Sequence, residues 1–131
     1  MQVLTRLEDI RNALAATPGV KTCKIGLEAD ITPDDYPIIR VVPSSVRESR
    51  SLGRRRIEAL IYFGMPVQAF DDDPDGAGRV RLEKLYATLF EMEKEIRKII
   101  AAEDCLYRET ITDEDRLDTY KLMAIKMDVE A

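Results

Sequence analysis

The sequence predicts an α+β domain: a mostly antiparallel β-sheet of about five strands packed against two α-helices. Three observations carry this. Leu82, Leu85, Leu89, Met92, Ile96 and Ile99 recur at spacings of three and four, with Tyr86, Phe90 and Ile100 widening the stripe, which is the apolar face of a long helix. Two segments, RIEALIYFGM from Arg56 and TYKLMAIKMDV from Thr119, alternate with the period of two that strands require. The order helix, three strands, helix, two strands lacks the regular strand-helix alternation of parallel sheets.

At the N-terminus Val3, Leu7, Ile10 and Leu14 mark a first helix over residues 2–16, stopped at Thr17-Pro18-Gly19. Val20 to Leu27 alternates, with Cys23, Ile25 and Leu27 on one side and Lys24 on the other, as a half-exposed strand would. Ile38 to Val42 reads as a short strand whose only polar residue is Arg40, bounded by Pro37 and Pro43, which cannot donate ladder hydrogen bonds. The strand from Arg56 has so few polar positions that both its faces should be covered, either within the domain or by a partner. Residues 66–79 read as a loop from their Pro, Gly and Asp content, and the long helix after it should span about 22 residues, with Glu91, Glu93, Lys94, Glu95, Arg97 and Lys98 facing solvent. Leu106 to Ile111 and Thr119 to Val129 follow as strands joined by a turn at Thr112-Asp113-Glu114-Asp115. On the last strand Met123 and Met127 are read as core.

The 131 residues fit one domain, 1–131, whose 45% hydrophobic and 34% charged composition suits a packed core. Twenty Lys and Arg against 25 Asp and Glu leave a net charge of -5, which excludes a surface built throughout for nucleic acid or anionic membrane. No stretch approaches the roughly 18 apolar residues that span a bilayer, and MQVLTRLEDIR mixes charge into its apolar pattern, so a soluble intracellular protein is expected. Cys23 and Cys105 lack any Cys-x-x-Cys spacing and read as reduced thiols in apolar surroundings.

The chain contains no histidine, which removes Ser-His-Asp and Cys-His nucleophile arrangements and most catalytic zinc sites. Asp71, Asp73, Asp75 and Gly76 match the first half of a calcium loop, but the twelfth position, which must supply a bidentate carboxylate, is Leu82. Only weak divalent binding is left to that segment. Gly76-Ala77-Gly78 begins like a dinucleotide loop, but Arg81 occupies the third glycine position and no Gly-Lys-Ser/Thr occurs. The expectation is a protein with no catalytic residue, no cofactor and no resident metal.

Two segments remain. From Val46 to Arg56, Arg47, Arg50, Arg54, Arg55 and Arg56 stand against the single acid Glu48, a local charge of +4, and this stretch reads as a loop. Asp71, Asp72, Asp73 and Asp75 give the next loop a local charge of -4. Both could be solvated loops. The basic one could contact nucleic acid, although no aromatic interrupts it for stacking on bases. Together, two patches of opposite sign permit head-to-tail association, which closes into a ring when the rotation between neighbours divides a full turn. Exposed pairs contribute only ~0–1 kcal/mol each, so the charges would set register while apolar surface supplied affinity.

The stretches EAD...DYPIIRVVP (Glu28 to Pro43), with Asp35-Tyr36-Pro37 leading into the strand, RRIEALIYFGMPV (Arg55 to Val67) and LDTYKLMAIKM (Leu117 to Met127), in their order around the two helices, resemble the tail terminator proteins of long-tailed phages. The resemblance covers most of the chain. It implies a non-enzymatic subunit of the virion tail, present in the bacterial host's cytoplasm during assembly, that forms a ring with copies of itself. That ring would be hexameric, or built from free monomers only on its target, and would cap the tail tube protein and meet the head-tail connector protein. A neighbouring neck or head-tail completion component, or a small nucleic-acid-binding module using Arg47 to Arg56, are the alternatives; no membrane partner is expected. On this reading the arginines and Asp71, Asp72, Asp73 and Asp75 form the assembly interface. Reversing Arg54, Arg55 and Arg56 to Glu should then leave the monomer folded and impair assembly.

Overall fold

A computed structural model describes residues 2–28, 31–50, 53–66, 81–112 and 120–131. The elements are α1 (Gln2–Leu14), β1 (Thr22–Ile25), a short 3-10 turn (Pro33–Asp35), β2 (Ile38–Glu48), β3 (Arg55–Pro66), α2 (Arg81–Ala102), β4 (Leu106–Ile111) and β5 (Tyr120–Glu130). The five strands make one sheet in the order β1-β2-β3-β5-β4. Only β1 and β2 are parallel; the other three pairings are antiparallel, so the α+β architecture with a mostly antiparallel sheet is the one observed.

Both helices pack on one face of the sheet. In the central strands Ile57, Ala59, Ile61 and Phe63 of β3 stand opposite Val129, Met127, Ile125 and Met123 of β5, and Ile39 and Val41 of β2 continue two of these rows. Leu7, Ile10 and Leu14 of α1 and Leu85, Leu89, Met92, Ile96 and Ile100 of α2 close over them in one buried cluster. The two strand methionines are ordinary members of it.

Several boundaries moved for local reasons. The first helix ends at Leu14, whose carbonyl accepts from Thr17 Oγ1 at 2.7 Å. The strand expected over 20–27 is trimmed to Thr22–Ile25, because the Gly26 N–H donates to Val41 O at 2.9 Å and its backbone, at φ +88°, turns the chain away. The main correction concerns β2. It does not end at Pro43: beyond Val41 it has no β1 beside it, and an edge position tolerates a residue without N–H. A β-bulge at Ser44 then restores pairing, with Ser45 opposite Glu58 and Arg47 opposite Arg56. The stretch from Val46 to Arg56 is therefore the outer half of a β2–β3 hairpin, and residues 49–54 alone make its connection.

The long helix has its expected 22 residues. Glu93, however, is not a solvated residue: β4 runs beside that flank of α2, and the Glu93 carboxylate accepts from Thr110 Oγ1 at 3.0 Å and pairs with Arg97 at 3.6 Å. No described helix is long and apolar enough to cross a membrane. Asp71, Asp72, Asp73 and Asp75, Leu82's side chain and most of the turn expected at Thr112 to Asp115 lie outside what the structure describes.

Candidate assembly site

The hairpin displays its charges in rows across the helix-free face of the sheet. In the row nearest the connection, Arg47 and Arg56 face each other, with Glu130 of β5 next in line; one row further in come Ser45, Glu58 and Asp128. Strand pairing thus places carboxylates diagonally beside the arginines. Arg47 Nη2 donates to Glu58 Oε1 at 2.8 Å, and Ser45 Oγ holds the other carboxylate oxygen at 3.0 Å. Arg54 lies 3.7 Å from Glu130, which also accepts from Ser49 Oγ at 2.6 Å.

Asp128 is the centre of this arrangement. It is buried, and one of its oxygens accepts from Arg56 Nη2 and from Arg108 Nε, each at 2.5 Å. Burial pushes this carboxyl up, but the hydrogen bonds from Arg108 and Arg56 outweigh that and hold it below its ordinary value of 3.8. Reciprocally, the bond and charge of Asp128 raise the Arg108 guanidinium. The sign of the linkage follows: a carboxyl depressed in the folded chain stabilises it above the unfolded pKa and loses that contribution as pH falls through the folded value. The melting temperature is expected to fall as pH drops below about 4, and Asp128→Asn should flatten that fall; an unchanged pH profile in the variant would show that Asp128 does not contribute.

Of the five hairpin arginines, Arg47, Arg54 and Arg56 are thus neutralised within the chain. Arg50 and Arg55 are exposed and form no ion pair among the described residues. The Arg55 backbone is nonetheless fixed, since it exchanges both hydrogen bonds with Ala131 at 2.9 and 2.8 Å. The acidic segment at 71–75, which was expected to complement the hairpin arginines, lies outside the described residues.

A second bulge, at Arg108 in β4, lies at the level of Met127, and Met127 is paired with Ala59 beside the Ser44 bulge. The two bulges therefore sit in one row on opposite flanks of the sheet. Between them is a concavity of about 460 Å³ lined by Ser44, Glu58, Leu60, Arg108, Lys126 and Asp128. Its charges are already paired, Lys126 with Glu109 at 3.2 Å and the rest as above.

Sequence reasoning missed Arg40 as a structural centre. Its side chain is fully buried; Nε donates to Glu28 Oε1 at 2.5 Å, Nη1 to Thr22 O and Ile39 O at 3.1 and 2.9 Å, and Nη2 to Thr22 Oγ1 at 3.0 Å. Hydrogen bonds from Lys24 and then Arg40 hold Glu28 below its ordinary value. The signal was present: a single charge inside a proline-bounded apolar run must be paired if that run is buried. Lys121, also buried, lies 5.6 Å from the Tyr86 ring centroid.

Cys23 and Cys105 are free and half-buried, and burial pushes both thiols up to about 11, away from nucleophilic use. Among the described residues no group of three or more His, Cys, Asp or Glu is placed to hold a metal. The chain matches no family model and no curated protein.

Proposed function

We infer that this chain is a structural subunit that works by assembling with copies of itself, and that it is a phage tail terminator, capping a tail tube and joining it to a head connector. One observation carries the reading: the three stretches that resemble that family fall on β2, β3 and β5, three adjacent strands at the centre of the sheet. The resemblance thus coincides with a contiguous scaffold. The hairpin at one end of that scaffold offers Arg50, Arg55 and Val46 to solvent, the last 37% exposed. A nucleic-acid module is the weaker reading, because three of the five hairpin arginines spend their charge on Glu58, Asp128 and Glu130.

The pairing also changes the test. Reversing Arg56 would set a glutamate against buried Asp128, so the triple Arg54, Arg55 and Arg56 variant would confuse unfolding with lost assembly. Arg50→Glu with Arg55→Glu is the cleaner choice. Sedimentation and negative-stain microscopy of the purified protein should show ring-sized particles at high concentration, weakened in this double variant while its melting temperature stays within about 1 °C. A native chain that remains monomeric at every salt and protein concentration removes the reading, and salt-dependent binding of duplex DNA lost in the variant would favour the nucleic-acid module.

A further inference from the structure

We propose that copies of this chain join edge to edge, β4 of one copy pairing antiparallel with the half of β2 that β1 leaves uncovered, so that the sheet continues from copy to copy. This rests on the self-assembly reading above and names its contact. β1 pairs with β2 only from Ile38 to Val41, whereas β2 runs on to Glu48, and from Val42 onward its outer side makes no backbone hydrogen bond to any described residue. Among the described residues β4 is the opposite edge, paired on one side only. Unpaired edges of this kind are templates for another strand.

Strand direction suits the contact. β2 and β5 run one way and β3 and β4 the other, so neighbours related by rotation about an axis roughly along the strands present β4 and β2 antiparallel. Charge selects a register. The edge of β2 carries Arg47-Glu48 and that of β4 carries Arg108-Glu109. The alignment that sets Arg47 opposite Glu109 also sets Val46 opposite Thr110 and Ser45 opposite Ile111; Glu48 falls level with Arg108 but on the helix side, while the Arg108 side chain is held by Asp128 on the helix-free side. Faces agree as well: Arg47 and Glu109 share rows with Arg56 and Lys126 on the helix-free side, Val46 and Thr110 with Ile57 and Ile125 on the helix side. Arg47 and Glu109 side chains are 60% and 59% exposed, so each has room for a second partner.

The bulges at Ser44 and Arg108 bound this window, leaving residues 45–48 on β2 and 109–111 on β4. So short a ladder is marginal alone, and bulges, Pro43 and charges are the devices that keep edges from indiscriminate pairing. Association is therefore reversible and concentration-dependent. The register also closes geometrically. Within one copy Glu109 lies level with Lys126, Leu60 and Val42, whereas Arg47 lies level with Arg56. Neighbours are then offset by the four-residue step from Leu60 to Arg56, across four strands per copy. At about 3.3 Å per residue and 4.8 Å between strands, the strands tilt by roughly 35° from the ring axis, a tilt that closed barrels adopt, whatever the number of copies.

Val46→Cys with Thr110→Cys, in a Cys23→Ser, Cys105→Ser background, tests the register. Oxidation over a concentration series should give a ladder of disulfide-linked multimers, and neither single-cysteine variant should give dimers. With the native cysteines retained, Arg47→Gln and Glu109→Gln should each weaken association about threefold to fivefold, and the double variant no further than either. Circular dichroism and melting temperature verify that each variant is folded. Assembly seen by sizing without the Val46–Thr110 cross-link overturns the edge contact but leaves the ring reading standing. A dimer from Val46→Cys alone also overturns it, since β2 edges would then meet across a two-fold axis. No association under any condition overturns both.

Discussion

Replacing Arg40 with alanine is expected to lower the stability of the folded chain by about 3 kcal/mol, the order measured when one partner of a buried ion pair is removed. Arg40 is fully buried and makes four hydrogen bonds, to Glu28, to Ile39 and twice to Thr22. The alanine variant leaves a cavity and strands acceptors that faced the guanidinium. Glu28 recovers water, because 29% of its side chain is exposed, which places the effect at the lower end of that range. The damage should concentrate in β1, a four-residue strand tied to β2 through Thr22. Arg40→Lys keeps the charge but not the planar fork, and should recover only part of the loss. Urea unfolding measures the first effect and amide exchange of residues 22–25 the second. An Arg40→Ala midpoint equal to that of the native chain would remove this residue from the account of the fold.

Gly64→Val should cost about 2–3 kcal/mol, by overpacking and not by a cavity. A Cβ built on Gly64 lies inside van der Waals contact with Leu122 Cδ2 and 2.6 Å from Lys121 O. The leucine can swing aside; the carbonyl belongs to the β5 backbone and cannot. Leu122→Ala combined with Gly64→Ala should therefore leave the glycine substitution destabilising, as thermal melts of the two single variants and the double can decide. A fully restored melting temperature in the double variant would show that the side chain was the whole obstacle. Gly64 is needed here because another strand's backbone comes close, while its own φ is unexceptional.

Both positions bear on what could be read in advance. The two helices, the five strands and their order along the chain follow from periodicity and turn residues, since an amphipathic repeat acts within one element. Leu85, Leu89, Met92, Ile96 and Ile100 are buried where the stripe placed them. The end of β2 was not legible, because Pro43 is a strong local stop signal whose meaning reverses on an edge strand with a bulge beside it. Gly64 was equally silent: nothing near it in the chain says that Leu122 and Lys121 pass overhead.

The candidate assembly site divides in the same way. Its arginines are conspicuous in the sequence, but their state is not, since Arg56 finds its partner 72 residues away in Asp128. Periodicity determined which residues of this chain turn inward, because turning inward depends on the geometry of a single helix or strand. Which charges are cancelled, which edges stay open and where the bulges align was decided only by strand order, because electrostatic partners and unpaired backbone groups are set by what lies beside a strand in space and not by what lies beside it in the chain.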